Sequence, residues 1–415
     1  MSGVGSGRSI VPPATLGLMG GGQLGRMTAL AARSAGYQVH ALDPDPLCAI
    51  RPLADNFIAA EWADAEAATK LAHSSDVVTF EVEKISAAAL EAAAHVTPAR
   101  PGPEILHLVQ NRLRQKSWLQ HKGFPIGPFR PIRKAEDVSD AARDFGRCFL
   151  KATEGGYDGR SQFYLDDIAL ADCAWNELGR RESIAEKALD LEYEVSVLIA
   201  RRPNGETCVY PPALNHHEKQ ILEWSVIPAP ISQDITVQAQ DIAQEIAAAL
   251  ALEGLLVVEM FVTRDGRLLV NELAPRPHNS YHASERACVT GQFEQLIRAV
   301  CNLPLGSPGV VRPTAIVNLL GDLWAQPVPP DFAKVLRIPE TRLHLYGKSH
   351  VRPGRKMGHI SATGRNSQEA LDHALQAKRM LAPEGGRGTY VLFNNMMSNE
   401  AFPSPEFAAF VRSGW

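Results

Sequence analysis

Two glutamates, Glu259 and Glu272, have the residue type and the spacing for metal chemistry. They lie in the apolar runs Leu255–Val262 and Leu268–Leu273, and the Asp-Gly pair between these runs is the strongest short-range signal for a two-residue hairpin turn. That turn places Glu259 directly opposite Glu272, where like charges destabilise paired strands. A hard divalent cation would compensate them, and Mg²⁺ uses one or two carboxylates together with substrate phosphates. The hairpin therefore predicts a site for a magnesium nucleotide.

The predicted register also fixes the neighbours of this pair. With an Asp-Gly turn, Arg264 faces Arg267 and Val262 faces Leu269, while Asn271 offers a neutral oxygen beside the two carboxylates. A slip of one residue would move one glutamate to the other face of the hairpin, because side chains alternate along a strand. In that alternative, one glutamate is a solvated surface acid and the metal site is absent.

Composition narrows the class of protein. The chain has 415 residues, 45% hydrophobic and 21% charged, with a net charge of −4, which allows two or three domains and gives no basic surface for nucleic acid. Six cysteines form no C-x-x-C pair, a usage typical of unpaired thiols in a reducing compartment. Met1–Pro13 has no apolar signal segment, and no apolar run approaches the ~20 residues of a membrane span. We expect a cytoplasmic protein with small-molecule substrates and neither nucleic-acid nor membrane partners.

The first quarter of the chain alternates short apolar strands with helices, which predicts a parallel α/β domain. Gly20–Gly25 matches G-x-G-x-x-G with Asp43 about 20 residues beyond, the dinucleotide fingerprint. Amides at a helix N-terminus would equally hold a phosphate of another small ligand, so the motif alone leaves both open. Glu81 ends a strand, where such sheets bind ligands. It is a candidate to hold ligand hydroxyl groups, or it is a solvated loop acid.

A second glycine-rich segment, Glu154–Gln162, follows Lys151. It lacks the Walker A pattern, but small residues with adjacent cations suit a mobile cover over phosphates, while a plain hairpin turn is the alternative. Glu186 and Glu194 could contact a base and a ribose, or they are acids on a strand surface. The pair His216-His217 has no metal-binding spacing and is more typical of a structural role.

Positive charge concentrates near the C-terminus, in His344–Lys348 and Val351–Ile360. Lysine and arginine around tight turns suit a phosphate group, although such side chains are usually only solvated. A phosphate at this cluster would be a second anion site, distinct from the one predicted at the hairpin.

Several passages together resemble one family, the ATP-grasp enzymes, and within it the 5-(carboxyamino)imidazole ribonucleotide synthases of purine biosynthesis. The resemblance extends from Leu16 to Phe393, nearly the whole chain. The motifs that carry it are Gly20–Met27 (GGGQLGRM), Lys151 with Gly155–Gln162 (GGYDGRSQ), Val258–Phe261 (VEMF), Asn271–Ser280 (NELAPRPHNS) and Arg352–His359 (RPGRKMGH).

The resemblance implies a mixed α/β and α+β fold in three domains. They are an N-terminal parallel α/β, Rossmann-like pre-ATP-grasp domain over 14–110, a central ATP-grasp domain over 111–308 and a small β-rich C-terminal domain over 309–395, with a disordered leader over 1–13 and a tail over 396–415. A homodimer is also implied.

The implied reaction is a ligation that uses ATP, Mg²⁺ and bicarbonate to carboxylate the exocyclic amine of 5-aminoimidazole ribonucleotide. Bicarbonate is a poor electrophile, and its phosphorylation to carboxyphosphate provides a leaving group. Metal ions would bridge the β- and γ-phosphate oxygens as charge develops. The products are 5-(carboxyamino)imidazole ribonucleotide, ADP and phosphate.

The resemblance also implies roles for residues at matching positions. The ATP contacts are Arg112, Lys151, Gly156, Tyr157, Asp158, Gly159, Arg160, Ser161, Gln162, Glu186, Lys187, Ala188, Leu189, Glu194, His217, Asn271 and Glu272. Glu259 and Glu272 match the Mg²⁺ ligands, with Asn271 beside them, and Arg276 matches the cation that holds bicarbonate; Lys151 and His278 join Arg276 in the predicted catalytic set. The ribonucleotide contacts are Gln23, Leu24, Glu81, Tyr157, Asp158, Arg160, His278, Asn279, Lys348, Arg355 and Lys356.

Three positions depart from the family pattern. Ser161 stands where glycine is usual, Lys187 where glutamine is frequent, and Tyr281 where Asn-Ser is usually followed by glycine. We expect Ser161 to stiffen the phosphate cover and Tyr281 to add bulk beside the substrate pocket. Three other functions are alternatives: a formate-dependent glycinamide ribonucleotide transformylase, an NAD-dependent dehydrogenase built on Gly20–Gly25, and a non-catalytic nucleotide-binding relative.

Overall fold

A computed structural model describes residues 7–155, 162–325 and 329–381. The strands in these residues are β1 (Thr15–Met19), β2 (Gln38–Asp43), β3 (Asn56–Ala59), β4 (Val77–Phe80), β5 (Phe129–Ile132), β6 (Cys148–Ala152), β7 (Gln162–Leu165), β8 (Ser183–Lys187), β9 (Leu191–Arg201), β10 (Thr207–Val209), β11 (Ala213–Glu218), β12 (Ile221–Ile227), β13 (Gly254–Thr263), β14 (Leu268–Ala274), β15 (Thr314–Leu320), β16 (Thr341–Leu345) and β17 (Lys356–Thr363). The α-helices are α1 (Gln23–Ser34), α2 (Ala65–His73), α3 (Ala87–Ala94), α4 (Pro103–Val109), α5 (Arg112–His121), α6 (Ala135–Phe145), α7 (Ala171–Glu177), α8 (Gln233–Ala249), α9 (Ser284–Ala287), α10 (Gln292–Val300), α11 (Phe332–Val335) and α12 (Ser367–Arg379).

The N-terminal region is a four-stranded parallel sheet in the order β3-β2-β1-β4. Its central strand is apolar along its length, with Leu16, Leu18 and Met19 fully buried, as expected when both faces of a parallel sheet are covered. The predicted parallel α/β domain is confirmed. Glu81 directly follows β4, so it lies at the carboxyl edge beside the turn into α1.

Two antiparallel sheets form the rest of the molecule. A four-stranded sheet in the order β5-β8-β6-β7 is covered by α6 and α7 around a core that includes Leu150 and Leu165. A nine-stranded sheet runs β14-β13-β9-β11-β12-β15-β17-β16, with β10 paired to β9. Helices α8 and α12 pack on this larger sheet. The two sheets face one cleft, which is the arrangement expected when a nucleotide is gripped between β-rich layers.

The C-terminal strands continue the nine-stranded sheet. β15 pairs with β12 of the central region, with Trp224 opposite Val317, and with β17 on its other side. Residues of both regions share one hydrophobic core. The same sheet carries β13 near one end and β17, which begins at Lys356, near the other.

Hydrogen bonds of the N-cap residue Asn111 fix the start of α5 beside the cleft. Asn111 is its N-cap, and its side-chain oxygen accepts a hydrogen bond from the Arg114 amide at 3.0 Å, as expected for asparagine at this position. The Asn111 side-chain nitrogen also donates to Glu154 at 3.0 Å. Among the described helices, none combines the length and apolar character needed to span a bilayer. All six cysteines are free thiols.

Candidate active site

A cleft of about 1100 Å³ lies between the N-terminal sheet, the small antiparallel sheet and the large sheet. Every predicted site residue within the described part of the chain lines it. These residues are Gln23, Leu24, Glu81, Arg112, Lys151, Gln162, Glu186, Lys187, Ala188, Leu189, Glu194, His217, Glu259, Asn271, Glu272, Arg276, His278, Asn279, Lys348, Arg355 and Lys356. Predicted contacts Gly156, Tyr157, Asp158, Gly159, Arg160 and Ser161 lie outside the described residues. Strands distant in sequence thus bring the predicted residues to one place.

The hairpin that carries the two glutamates does not have the predicted turn. The Thr263 amide donates to the Arg267 carbonyl at 2.9 Å and the Gly266 amide donates to the Thr263 carbonyl at 2.8 Å, so the connection has three residues. Gly266 has φ +80°, the left-handed conformation that this turn requires and that glycine adopts without strain. The two-residue turn, and with it the Arg264–Arg267 pair, is wrong.

A β-bulge restores the predicted carboxylate pair. Val262 pairs with Leu268 and not with Leu269, but the register shifts at the bulge and Glu259 pairs with Glu272. The extra residue in the bulged strand is Asn271, which has no directly opposed partner across the hairpin. The glutamates therefore face each other, although the turn that suggested it has a different length.

The opposed carboxylates have the chemistry of a magnesium site. Glu259 is 9% exposed, and its burial together with the Glu272 carboxylate raises its pKa. No group of three or more histidine, cysteine or acidic side chains in the described residues could hold a metal by itself. Two oxygen-bearing side chains fit a cation that takes its remaining ligands from water and substrate phosphates. The donor set is therefore suited to Mg²⁺ bound with a nucleotide.

Both ring nitrogens of His278 have polar neighbours. Nε2 lies 3.2 Å from Glu259 Oε1, and Nδ1 lies 2.9 Å from Ser280 Oγ, which accepts a hydrogen bond from Ser196. Burial, followed by the nearby Arg276 charge, lowers the pKa of His278 well below its ordinary value. A neutral imidazole therefore contacts Glu259, and its orientation is set by Ser280.

Arg276 is buried at the junction of the large and N-terminal sheets. Its Nη2 atom lies 2.7 Å from Glu83 Oε1, and its Nη1 donates to the Pro277 carbonyl at 3.0 Å. Sequence reasoning missed Glu83 as a site residue, although it is two residues from Glu81. The ion pair fixes a guanidinium at the wall of the cleft, next to His278.

The small sheet supplies a cationic group around one buried acid. Lys151 Nζ lies 2.9 Å from Glu186 Oε2, and Arg112 donates to the Ala152 carbonyl at 3.0 Å. Burial alone would raise the pKa of Glu186, but Lys116 and Lys151 lower it to about 2. Glu186 therefore remains ionised and holds lysine side chains at the cleft, where phosphates would need cations. Lys116 was not predicted as a site residue.

His217 and Glu194 form an ion pair across neighbouring strands of the large sheet. His217 Nδ1 lies 2.9 Å from Glu194 Oε2. Burial alone would lower the pKa of His217, but the Glu194 carboxylate raises it to about 9. This histidine is therefore cationic at neutral pH. The neighbouring His216 stacks on Trp224 at 5.1 Å, in agreement with a structural role for that residue.

Three backbone amides of the N-terminal glycine-rich turn donate hydrogen bonds to carboxylates. Gly22 and Gly25 donate to the two oxygens of Glu81 at 2.7 and 3.0 Å, and Gly21 donates to Asp43 at 2.7 Å. Burial raises the pKa of both acids. A dinucleotide pyrophosphate would have to displace these carboxylates, which argues against the dehydrogenase alternative. Sequence reasoning did not predict that Glu81 would bind the turn itself.

The remaining N-terminal amides of α1 belong to Gln23 and Leu24, and C-terminal cations lie beside them. In the described part of the chain neither of these two amides has a hydrogen-bond partner. Lys348 donates to the Gln23 side chain and, at 2.7 Å, to the Lys356 carbonyl. Gln23 in turn donates to Asn279 at 3.3 Å. Free amides of a helix N-terminus next to lysines form an anion site.

The expected bulk of Tyr281 beside the substrate pocket is not found. Its ring is fully buried against Tyr210 at 6.0 Å, and its hydroxyl is 2.9 Å from the carbonyls of Ser196 and Pro211. It is not among the residues that line the cleft. Tyr281 therefore closes the core beneath His278 and Ser280.

The architecture and the cleft define an ATP-grasp enzyme, and comparisons with known families agree. Residues 117–293 match the ATP-grasp domain, residues 13–110 the ribonucleotide synthetase preATP-grasp domain, and residues 314–373 the phosphoribosylaminoimidazole carboxylase C-terminal domain.

Similar proteins narrow the family further. The N5-carboxyaminoimidazole ribonucleotide synthase of Bacillus subtilis is 40% identical over 354 residues, 85% of this chain and 92% of that protein. A solved N5-carboxyaminoimidazole ribonucleotide synthetase in complex with ADP has 40% identity and a TM-score of 0.84, covering 89% of this chain and 98% of that one. The synthase of Aspergillus clavatus, solved with ADP and 5-aminoimidazole ribonucleotide, has 29% identity and a TM-score of 0.81 over the same shares. The chain belongs to the N5-carboxyaminoimidazole ribonucleotide synthase family of ATP-grasp ligases.

Proposed function

We propose that this protein carboxylates the exocyclic amine of 5-aminoimidazole ribonucleotide in purine biosynthesis, using ATP and bicarbonate. The observation that carries the proposal is one cleft with positively charged or donor groups in two of its parts. Lys151 and Arg112 lie in one part, and Lys348 with the free amides of α1 in the other. Arg276 and the glutamate pair lie in the same cleft. A nucleotide and a phosphorylated substrate can thus be bound together.

The chemistry requires two transfers in sequence. A bicarbonate oxygen attacks the γ-phosphorus of ATP, the bond to the β-phosphate oxygen breaks, and carboxyphosphate and ADP form. The amine nitrogen then attacks the carboxyphosphate carbon, or the CO₂ that it releases. Phosphate departs with the bonding electron pair, the nitrogen loses a proton, and the carbamate product remains.

The described residues would bind and orient these groups. Arg276, fixed by Glu83, would pair with bicarbonate and then with carboxyphosphate. Lys151 would neutralise nucleotide phosphate charge, and His278 would donate a hydrogen bond at the reacting end. Glu259 and Glu272 would hold Mg²⁺ with Asn271 beside them; when bound, the metal offsets the charge that develops on the β- and γ-phosphate oxygens.

The other ends of the two substrates have their own predicted contacts. The adenine and ribose of ATP would lie along the segment Glu186–Leu189, with Glu194 and His217 beyond it. The phosphate of the ribonucleotide would be bound by Gln23 and Leu24 with Lys348, Arg355 and Lys356. Glu81 would accept hydrogen bonds from ribose hydroxyls through lone pairs left by its two amide donors. The domain boundaries, the homodimer and the cytoplasmic location stay predictions.

The proposal is tested by phosphate release from ATP in the presence of different acceptors. We expect release that requires 5-aminoimidazole ribonucleotide, bicarbonate and Mg²⁺ together, because carboxyphosphate forms only when all are bound. A parallel assay with formate and glycinamide ribonucleotide should show no release. Turnover only in this second assay would establish the transformylase alternative, and ATP binding without turnover in either would support a non-catalytic relative.

A further inference from the structure

Strand β14, which carries Glu272, is the outer edge of the nine-stranded sheet. An edge strand has backbone groups directed away from the sheet, and these need partners when buried. The segment before β5 and helix α5 cover this edge. The Val270 amide donates to the Pro125 carbonyl at 2.7 Å, and Ile126 forms an isolated parallel bridge with Val270.

Two side chains of α5 bind the backbone of the same strand on either side of the bulge. Lys116 Nζ donates to the Val270 carbonyl at 3.4 Å, and the Leu273 amide donates to Gln115 Oε1 at 3.2 Å. Gln115 and Lys116 are each 5% exposed. Both side chains are therefore buried beside Asn271 and Glu272.

The spacing of these contacts is specific to the bulged strand. In a regular antiparallel strand, every second residue directs its backbone groups to the same edge, so Val270 would be followed by Glu272. The observed outward groups belong to Val270 and Leu273, three residues apart. The extra residue of the bulge produces this interval, since it shifts the alternation by one. Without the bulge, the Leu273 amide would point toward β13, away from Gln115.

We propose that Gln115 and Lys116 are positioning residues that hold the bulged register of β14, so that Glu272 faces Glu259. The inference rests on the proposed magnesium role of this pair. Burial lowers the pKa of Lys116, and the Glu186 and Glu272 carboxylates oppose that shift. Neither side chain needs to touch the substrate, because the effect is transmitted through the backbone that presents Asn271 and Glu272.

The test compares Gln115→Leu with Gln120→Leu, an exposed glutamine on the same helix. Calorimetry measures ADP affinity with and without Mg²⁺. In the wild type and in Gln120→Leu we expect Mg²⁺ to tighten ADP binding. In Gln115→Leu we expect this Mg²⁺ effect to fall about tenfold, with metal-free ADP affinity unchanged within roughly twofold. Hydrogen exchange of the Leu273 amide should accelerate in Gln115→Leu alone.

Retention of the full Mg²⁺ effect in Gln115→Leu would overturn the proposal, as would an equal loss of metal-free ADP affinity. Gln115→Met is the second variant, and it should show the same selective loss. If both variants fail to fold while Gln120→Leu folds, the side chains stabilise the whole domain and the proposal is wrong. These readouts need no ribonucleotide, so a failure of the proposed carboxylation activity would be detected separately.

Discussion

Glu81 and Glu259 are equally buried acids in one cleft, yet their surroundings are opposite. Glu81 is 8% exposed and Glu259 is 9% exposed, and burial raises the pKa of both. The two oxygens of Glu81 accept hydrogen bonds from the Gly22 and Gly25 amides. Glu259 has a neutral histidine at 3.2 Å and another carboxylate opposite it.

The difference shows how one side chain can serve structure or binding according to its neighbours. Backbone donors compensate the charge of Glu81, so this acid stabilises the glycine-rich turn without a ligand. The Glu272 carboxylate makes ionisation of Glu259 less favourable, so an added cation would stabilise this pair. Replacing each acid with its isosteric amide should therefore have opposite effects on stability.

The largest expected effect is on turnover, with Glu272→Gln. This change removes one of the two carboxylates but keeps the shape of the hairpin, so substrate-dependent ATP turnover should be abolished, a loss of at least about 100-fold. Thermal unfolding should show that the protein still folds. Glu245→Gln, on the exposed face of α8, is the control and should keep full activity. Unchanged turnover and Mg²⁺ dependence in Glu272→Gln would remove the metal assignment.

The next effect is a loss of stability in Glu81→Gln. The amide nitrogen of glutamine would face the Gly22 or Gly25 amide, leaving a buried donor without an acceptor, which costs about 1–3 kcal/mol. The free energy of unfolding from denaturant titration should fall by this amount. The exposed Glu91→Gln on α3 is the matched control. A Glu81→Gln protein as stable as the wild type would mean that the turn does not depend on this carboxylate.

The smallest effect is a gain of stability in metal-free Glu259→Gln. Because the folded-state pKa of Glu259 is raised above the ordinary value of 4.5, the native state binds this proton more tightly than the unfolded state. The wild type should therefore lose stability relative to the variant as pH rises above 4.5. At pH 9 we expect a gain on the order of 1 kcal/mol, since one pKa unit is about 1.4 kcal/mol.

Denaturant titrations of the wild type and Glu259→Gln at pH 5 and pH 9 measure this difference. At pH 5 the two proteins should be nearly equal in stability. Saturating Mg²⁺ and ADP should reverse the order at pH 9, because the variant would lack one of the two proposed metal ligands. A variant less stable than the wild type at both pH values without metal would contradict the comparison between the two acids.

The sequence predicted the carboxylate pair through an incorrect turn. Counting outward from a two-residue turn places Glu259 opposite Glu272. The observed turn has three residues, and β14 contains one extra residue, Asn271, at the bulge. The pairing was recovered because the turn shifts the register by one residue in one direction and the bulge shifts it back. Local propensity favours Asp-Gly turns, but bulges depend on contacts that lie outside the hairpin.

Side chains that act across long sequence distances were the part that could not be predicted. Gln115 reaches a strand 158 residues away, and nothing in its own helix distinguishes it from the exposed Gln120. Glu81 was placed at the correct edge of the sheet, but its two amide donors depend on how α1 meets β4. Tyr281 was expected beside the pocket because its neighbours in sequence are there, while the short helical turn over Asn279–Tyr281 directs its ring into the core.

The continuity of the nine-stranded sheet has a consequence for how the enzyme can move. Glu259 on β13 and Lys356 on β17 belong to one hydrogen-bonded layer, whereas Lys151 and Glu186 belong to the separate small sheet. Changing the distance between Glu259 and Lys356 would require bending or breaking the layer that joins them. The large sheet therefore holds Glu259 and Lys356 at one separation, and a change in the width of the cleft would have to come from the small sheet.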